Sequence, residues 1–450
     1  MTPKYPLIAA GVAAALAGGY AQAAPPTITQ AQSPFASLVI AGSSAAKNSV
    51  LGAVENDICG GTANTLLVSS AGGTKNFFAL SCNTAVAIGS GAGAIPVGSL
   101  VTIYYRTEGG SVVGALPIAS GHNILRLNLA DSSCAGAGLT ATCTVSGVTA
   151  TAGPNDSWTG AVTSDGVDLG ITDVEPALLT GADYPTGYST TAFGHATPTQ
   201  MAGLSTTRLI QQVFGLAINV GSAGSGLTAP INLSRESAAN ILLGNYSDWH
   251  AVPDALTGQP IAAASSLITR IDREPGSGTR TSANTYFLRY QCGSSTAITD
   301  NVGESDNFST TDELTAANGK AASIAHTSID QLQDPHNSTN FPNLVLATID
   351  GVAPSNIHAA AGGYDYWFEA TTVNNAATTG TSLSLASFLQ TDMPKLASAP
   401  QEPSVNVIPG LQGNVGTVPL TDNGKTGTLT IYVNPYTRNG KSCNVPTETN

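Results

Sequence analysis

Short apolar runs alternate with amphipathic segments along most of the chain. Leu38 to Ile40 is a compact apolar run closed by Gly42-Ser43-Ser44, after which Val50, Leu51, Val54 and Ile58 recur at helical spacing. The pattern predicts strand, turn, helix. "NTLLVSS" and "NFFALSC" then read as a hairpin inserted after that helix. Residues 101–118 repeat the first pattern, a β-rich run followed by Gly109-Gly110-Ser111 and an apolar segment. "GVDLGITDVEPALL" (166–179) is a further strand ending in a polar turn at Thr172-Asp173. Residues 119–165 and 180–205, rich in Gly, Ser, Thr and Pro, read as decorated loops.

The second half continues the alternation. "IQQVFGLAINV" (210–220) is an apolar strand, and "LSRESAANILLGNYSDW" (233–249) is a helix with Ser234 as N-cap and Gly244 as a stop. Leu267 and Ile268 form a strand, followed by a turn and a helix from about Arg280. "LVLATID" (344–350) and the aromatic 363–373 segment are further strands. Tyr364, Tyr366, Trp367 and Phe368 in the latter read as core packing rather than a sugar platform. Strands alternating with helices imply an α/β fold with mainly parallel pairing.

The beginning of the chain lies outside this pattern. Lys4, an apolar stretch from Leu7 to Leu16, and "AQAA" (21–24) read as a signal peptide cleaved after Ala23, making 1–23 a removed leader. No cysteine follows the apolar stretch, so a lipid anchor is not expected. No later run reaches ~18 apolar residues, so no membrane span is expected. The expected location is periplasmic or secreted. The length of 450 residues suggests two lobes or more.

Charged residues make up 10% of the chain, against about 25% in average domains, and the net charge is −13. That balance excludes a nucleic-acid partner, which requires a basic footprint. An anion is still a fitting ligand in a pocket whose local field opposes the global one. The six cysteines, an even count in an exported chain, read as disulfides. Cys59–Cys82 and Cys134–Cys143 are close in sequence. Cys292–Cys443 follows only by elimination, and fifteen pairings are formally open. With no C-x-x-C and scattered histidines, no metal site is expected. No cofactor is expected either.

The chemistry concentrates in "ITRIDREPGSGTRTSANTYFL" (268–288), where Arg273, Ser277, Gly278 and Thr279 bring a guanidinium, two hydroxyls and a glycine to the start of a helix. A helix N-terminus presents free N–H groups and partial positive charge. Arg273 can fork two donors onto two oxygens, and Gly278 permits close backbone approach. More modest roles fit the same residues: a helix cap for Ser277-Gly278-Thr279, a surface ion pair for Arg273, a turn cap for Asp173 and a helix cap for Ser111.

R-x-x-x-S-G-T leading into a helix resembles the signature of the periplasmic phosphate-binding proteins of ABC importers and their DING-type relatives. "LSRESAANILLGNYSDWHAV" resembles the family's "LSREQ…IFxGxIxxW" helix and turn, and "LGITDVEP" its "FGASDAP" stretch. "VIAGSSAAKNSVL" resembles its first strand and loop, and "GGYDYWFE" the segment that returns the chain to the first lobe. The matched pieces run in the family's order from about 38 to 370, with insertions between them.

The resemblance implies a two-lobed type II periplasmic-binding-protein fold with a hinge and Gly/Ser/Thr-rich insertions. Lobe one would comprise 36–205 plus 360–450, and lobe two 206–359. It also implies capture of inorganic phosphate, as monohydrogen phosphate, or a related oxyanion between the lobes. The protein would be a monomer, not an enzyme, and would deliver ligand to an ABC importer permease. Carried over, Arg273, Ser277, Gly278 and Thr279 fall on the anion-binding turn, Asp173 on the acidic ligand and Ser111 on a serine at a Gly-rich turn. The first loop departs from the family. Ala45 and Ala46 stand near a Thr-Phe pair, so backbone N–H groups, including that of Ala46, or Ser44 would serve there. Lys47 replaces an aromatic. Pro275 replaces an acid paired with the arginine, for which Glu274 or Asp272 would substitute. Asp173 would accept the proton of monohydrogen phosphate and reject sulfate, which has none at neutral pH.

The alternative is a secreted or surface protein that keeps this scaffold for adhesion or matrix binding, with weak or no phosphate affinity. Hydrolysis of phosphomonoesters is a third reading, without a nucleophile or metal cluster to support it. No G-x-S-x-G, H-E-x-x-H or G-x-x-x-x-G-K-[ST] motif is present.

Overall fold

The computed structural model describes residues 24–71, 76–146, 158–185, 193–299, 307–333, 341–394, 406–409, 416–420 and 427–448. The leader expected over 1–23 lies outside them. In chain order the strands of the first half are β1 (Ala36–Gly42), β2 (Leu66–Ala71), β3 (Phe77–Asn83), β4 (Leu100–Arg106), β5 (Asn123–Leu127), β6 (Ala135–Ala137), β7 (Thr140–Ser146), β8 (Thr159–Gly160), β9 (Val162–Gly166) and β10 (Leu169–Thr172). The second half adds β11 (Thr206–Asn219), β12 (Asn232–Leu233), β13 (Thr269–Arg270), β14 (Ser323–Ser328), β15 (Leu344–Leu346), β16 (Thr348–Ile349), β17 (Trp367–Asn374), β18 (Asn406–Pro409), β19 (Gly416–Leu420) and β20 (Gly427–Asn434).

One large mixed sheet runs in the order β19-β20-β18-β11-β17-β10-β1-β4-β3-β2-β7-β6. The architecture is mixed α/β. Pairing is not mainly parallel as expected: among the described residues antiparallel pairs outnumber parallel ones. The parallel strip β10-β1-β4 survives at the centre. Hairpin partners and returning strands then meet it head to tail. β3 lies antiparallel against β4, and β17 against both β10 and β11.

β11 is longer than the apolar run that announced it. Its first half pairs with β17 and β18, and its second half with β14 and β15. The hairpin of β2 and β3 forms as expected. The 119–165 region does not form loops alone: β6 and β7 extend the large sheet, while β5 pairs with β9. β7 alternates buried and exposed residues along its whole length, with Ala141, Cys143 and Val145 inward. That is the signature of a strand with one face on a core.

Packing fixes the frame of the loops. Tyr366 stacks on Tyr286, 4.6 Å between ring centres, and also touches Phe214, Phe287 and Phe368. The aromatic segment is therefore core, as expected. The Ser111–Ser120 helix lies directly on the central strands through glycine. A β-carbon on Gly114 would stand 2.6 Å from the Ile171 carbonyl oxygen and 2.9 Å from that of Ala41. No side chain fits there, so the helix N-terminus is held close over the ends of β1 and β10. Cys59–Cys82, Cys134–Cys143 and Cys292–Cys443 are all bonded. No helix among the described residues is long and apolar enough to cross a membrane.

Candidate functional site

β10, β1 and β4 are parallel neighbours, so their carboxyl ends lie side by side. Three turns leave that edge: Ser43-Ser44 after β1, Gly109-Gly110-Ser111 after β4 and Asp173 after β10. Ligands of open α/β sheets collect at such edges. Asp173 is 1% exposed. The Ser43 hydroxyl donates to its Oδ1, and the Ser111 hydroxyl donates to Oδ2 at 3.1 Å. The Asp173 backbone N–H returns a bond to Ser111 Oγ at 2.9 Å. The Ala46 N–H donates to Ser43 Oγ at 2.9 Å, and the Tyr105 phenol donates to the Ser43 carbonyl. Burial pushes the Asp173 carboxyl up to about 6, against the opposing pull of the two serine bonds and of Arg273.

The arginine turn reaches this cluster from the far half of the chain. Ser277 caps the Gly278–Leu288 helix, its hydroxyl accepting from the Arg280 N–H at 3.3 Å. The helix thus begins at Gly278, two residues before the expected Arg280. A β-carbon on Gly278 would stand 2.1 Å from Ser111 Oγ and 2.5 Å from Asp173 Oδ2. The turn's backbone therefore rests against the serine and the carboxylate. Gly110, at φ 67°, approaches the same turn: a β-carbon there would lie 3.1 Å from Arg273 Nη2. The Val112 N–H donates to the Gly276 carbonyl at 2.9 Å, closing the seam.

Arg273 is fully buried. Its Nε donates to the Asn307 carbonyl at 2.9 Å, Nη1 to Thr310 Oγ1 at 3.1 Å, and Nη2 to the Phe308 carbonyl at 3.3 Å. Nη2 also pairs with Glu274 Oε1 at 3.4 Å, so Glu274 stands where the acid was sought. Thr310 joins the far side of the guanidinium to the first loop, through Ser44 Oγ at 3.1 Å. Thr279 is 1% exposed and its hydroxyl has no hydrogen-bond partner. Such an orphan costs on the order of 1–3 kcal/mol unless a ligand or water meets it.

Glu313 and His326 are buried nearby, with His326 Nδ1 3.4 Å from Glu313 Oε1. Burial raises the glutamate and lowers the histidine, so both shifts disfavour the charged form.

The structure brings Asp173, Ser111, Arg273, Ser277, Gly278 and Thr279 to one buried locus, with Ser44 joined to it through Thr310. Ala46 offers its N–H to Ser43, while its methyl and that of Ala45 pack into the cores. Lys47 places its ammonium 5.6 Å from the Phe78 ring centre. Sequence reasoning missed Ser43 and Thr310. Ser43 sat within the recognised turn, and Thr310 follows Ser309, whose spacing to Asp312 is a helix-start signal.

No protein-family model matches the chain, and no curated protein matches it in sequence. Solved structures to which it is similar include phosphate ABC-transporter substrate-binding proteins. One is a putative member with bound phosphate from Clostridium perfringens: 12% identity, TM-score 0.42, covering 80% of this chain and 93% of that one. Another is the high-affinity periplasmic phosphate-binding protein PfluDING, bound with phosphate: 13% identity, TM-score 0.34, covering 61% and 82%. A third is an ABC-type phosphate transport receptor from Vibrio cholerae: 14% identity, TM-score 0.32, covering 50% and 74%.

Proposed function

We propose that the protein is an exported solute-binding protein that captures inorganic phosphate, as the monohydrogen form, between a lobe of 36–205 plus 360–450 and a lobe of 206–359. The supporting observation is the contact of Gly278 with Ser111 and Asp173. It joins a buried guanidinium, a buried hydroxyl lacking a partner and a lone carboxylate. The hydroxyls of Ser111, Ser277 and Thr279 and the N–H groups of the helix start would meet phosphate oxygens, each bond contributing about 1.5–3 kcal/mol. Asp173 would accept the ligand's proton, and sulfate would leave it facing an acceptor. The ligand is released unchanged, and an importer permease is the partner this role requires.

Titration calorimetry with phosphate and sulfate tests this reading. Phosphate is expected to bind, Arg273→Ala to lose 100-fold or more, and Thr279→Val about tenfold, for the loss of one such bond. Sulfate binding as tight as phosphate ends the role given to Asp173.

One observation favours the alternative scaffold role. Arg273 already donates to Asn307, Phe308, Thr310 and Glu274, and Ser277 already caps its helix. On that reading phosphate gives no heat at millimolar concentration.

A further inference from the structure

A second basic site lies at the opposite end of the Gly278–Leu288 helix. There a cavity of about 240 Å³ is lined by Arg235, Arg289 and Arg438, with Tyr286, Asp365 and the Cys292–Cys443 bridge completing its wall. Three guanidiniums in one cavity are out of keeping with a chain of net charge −13. Cations are favoured near a helix C-terminus, and Arg289 at the C-cap is explained that way. The other two come from elsewhere in the sequence and are not.

Their hydrogen bonds leave the charge unbalanced. Arg438, 6% exposed, spends its donors on the carbonyls of Trp367, Asp365, Ser442 and Asn444. Arg235 sits over the Tyr286 ring, its guanidinium carbon 4.1 Å from the centre, and donates through Nη2 to the Tyr286 carbonyl. Arg289 donates through Nη2 to the Cys292 carbonyl at 3.3 Å. Nε and Nη1 of Arg235 and of Arg289 have no hydrogen-bond partner among the described residues. Nor does any carboxylate among them form an ion pair with the three arginines. Asp365, the acid in the wall, is exposed and takes the Tyr286 phenol. Burial lowers Arg438 to about 10, against the opposing pull of Asp365, Tyr286 and Glu369, with the Arg235 charge adding to the lowering.

We propose that this cavity binds a small organic oxyanion carrying two or more negative charges on carboxylate or phosphoryl groups. The remaining N–H groups of Arg235 and Arg289 offer donors to two oxygens, and Arg438 supplies a fixed, dehydrated positive charge behind them. Val445, 74% exposed at the lip, offers apolar contact to the ligand's carbon frame. The volume is below the ~300–1,000 Å³ of drug-sized sites, which selects a small metabolite.

Citrate and phenyl phosphate are the probes, titrated calorimetrically at low salt against the full disulfide-bonded chain. Saturable one-to-one binding of either supports the proposal and names the preferred head group. Arg289→Gln, at an exposed position, and Arg235→Gln are each expected to weaken that binding tenfold or more. Thr279→Val, at the phosphate locus, is expected to leave it unchanged. The proposal is overturned if neither probe binds below about 10 mM, the range of affinity near −3 kcal/mol. It is equally overturned if binding survives both arginine substitutions or is lost in Thr279→Val.

Discussion

Replacing Asp173 with Asn isolates the cost of burying this carboxylate. The folded pKa is about 6 against 3.8 in the unfolded chain. A raised acid pKa means that the native state prefers the protonated form. The penalty is therefore fully present above about pH 6, shrinks as pH falls, and is gone below 3.8. The difference is worth on the order of 3 kcal/mol at neutral pH and above. The amide removes the charge and keeps an acceptor oxygen for one of the Ser43 and Ser111 hydroxyls, while its NH2 turns the other serine into an acceptor. The D173N variant is thus expected to be more stable than the parent at pH 8, by up to that amount, and to converge with it only below about pH 3.8. For a chain this long the gap at pH 8 is about 3 °C in melting temperature. Asp57 and Asp183, raised by burial to about 8 and about 7, titrate in the same direction but are common to both proteins and cancel. Calorimetric melts of the two without phosphate, at half-unit pH steps, provide the measurement. A melting difference that does not change with pH would refute the argument that desolvation governs this side chain.

Other expectations follow from the same contacts. Gly278→Ala places a methyl 2.1 Å from Ser111 Oγ, so the turn must shift; denaturant melts should show a loss of about 1–3 kcal/mol. Phosphate affinity should fall with it by 100-fold or more in calorimetry, since misplacement by an ångström costs that much in positioned chemistry. A G278A variant more stable than the parent would contradict the contact. The Cys292–Cys443 bridge spans 151 residues, so chain entropy gives it up to about 5 kcal/mol. The variant with both cysteines replaced by alanine should melt several degrees lower, and an unchanged melt would show that the bridge constrains nothing in the unfolded chain.

Legibility in the sequence depended on residue size and on distance along the chain. The hairpin at 66–83 was legible because Leu, Val and Phe mark the buried face. β7 was not, because "TATCTVS" hides a perfect inward alternation behind Ala and Cys among threonines. Ser234 was legible as a cap, and its hydroxyl accepts from the Ser237 N–H at 3.0 Å. Gly244 was legible as the stop of the same helix, which ends at Leu242 with Gly244 at φ 77°. At the candidate site, the local turns at 42–44, 109–111 and 277–279 were readable from their glycines and hydroxyls. The meeting of Gly278 with Asp173 was implied only by resemblance. The Ser44–Thr310 link was not implied at all, since nothing local connects residues 266 positions apart.

β11 is a single ribbon of 14 residues whose front half belongs to the strands leading to Asp173 and whose back half belongs to those leading to Arg273. The acid and the base of the candidate site are consequently mounted on one axle. Its ladder to β17 slips out of register between Arg208 and Ile210, where a bulge bends and twists the strand. Torsion put in at either end would reach both clamps, so the geometry around the proposed anion would be tuned from a place that never touches it.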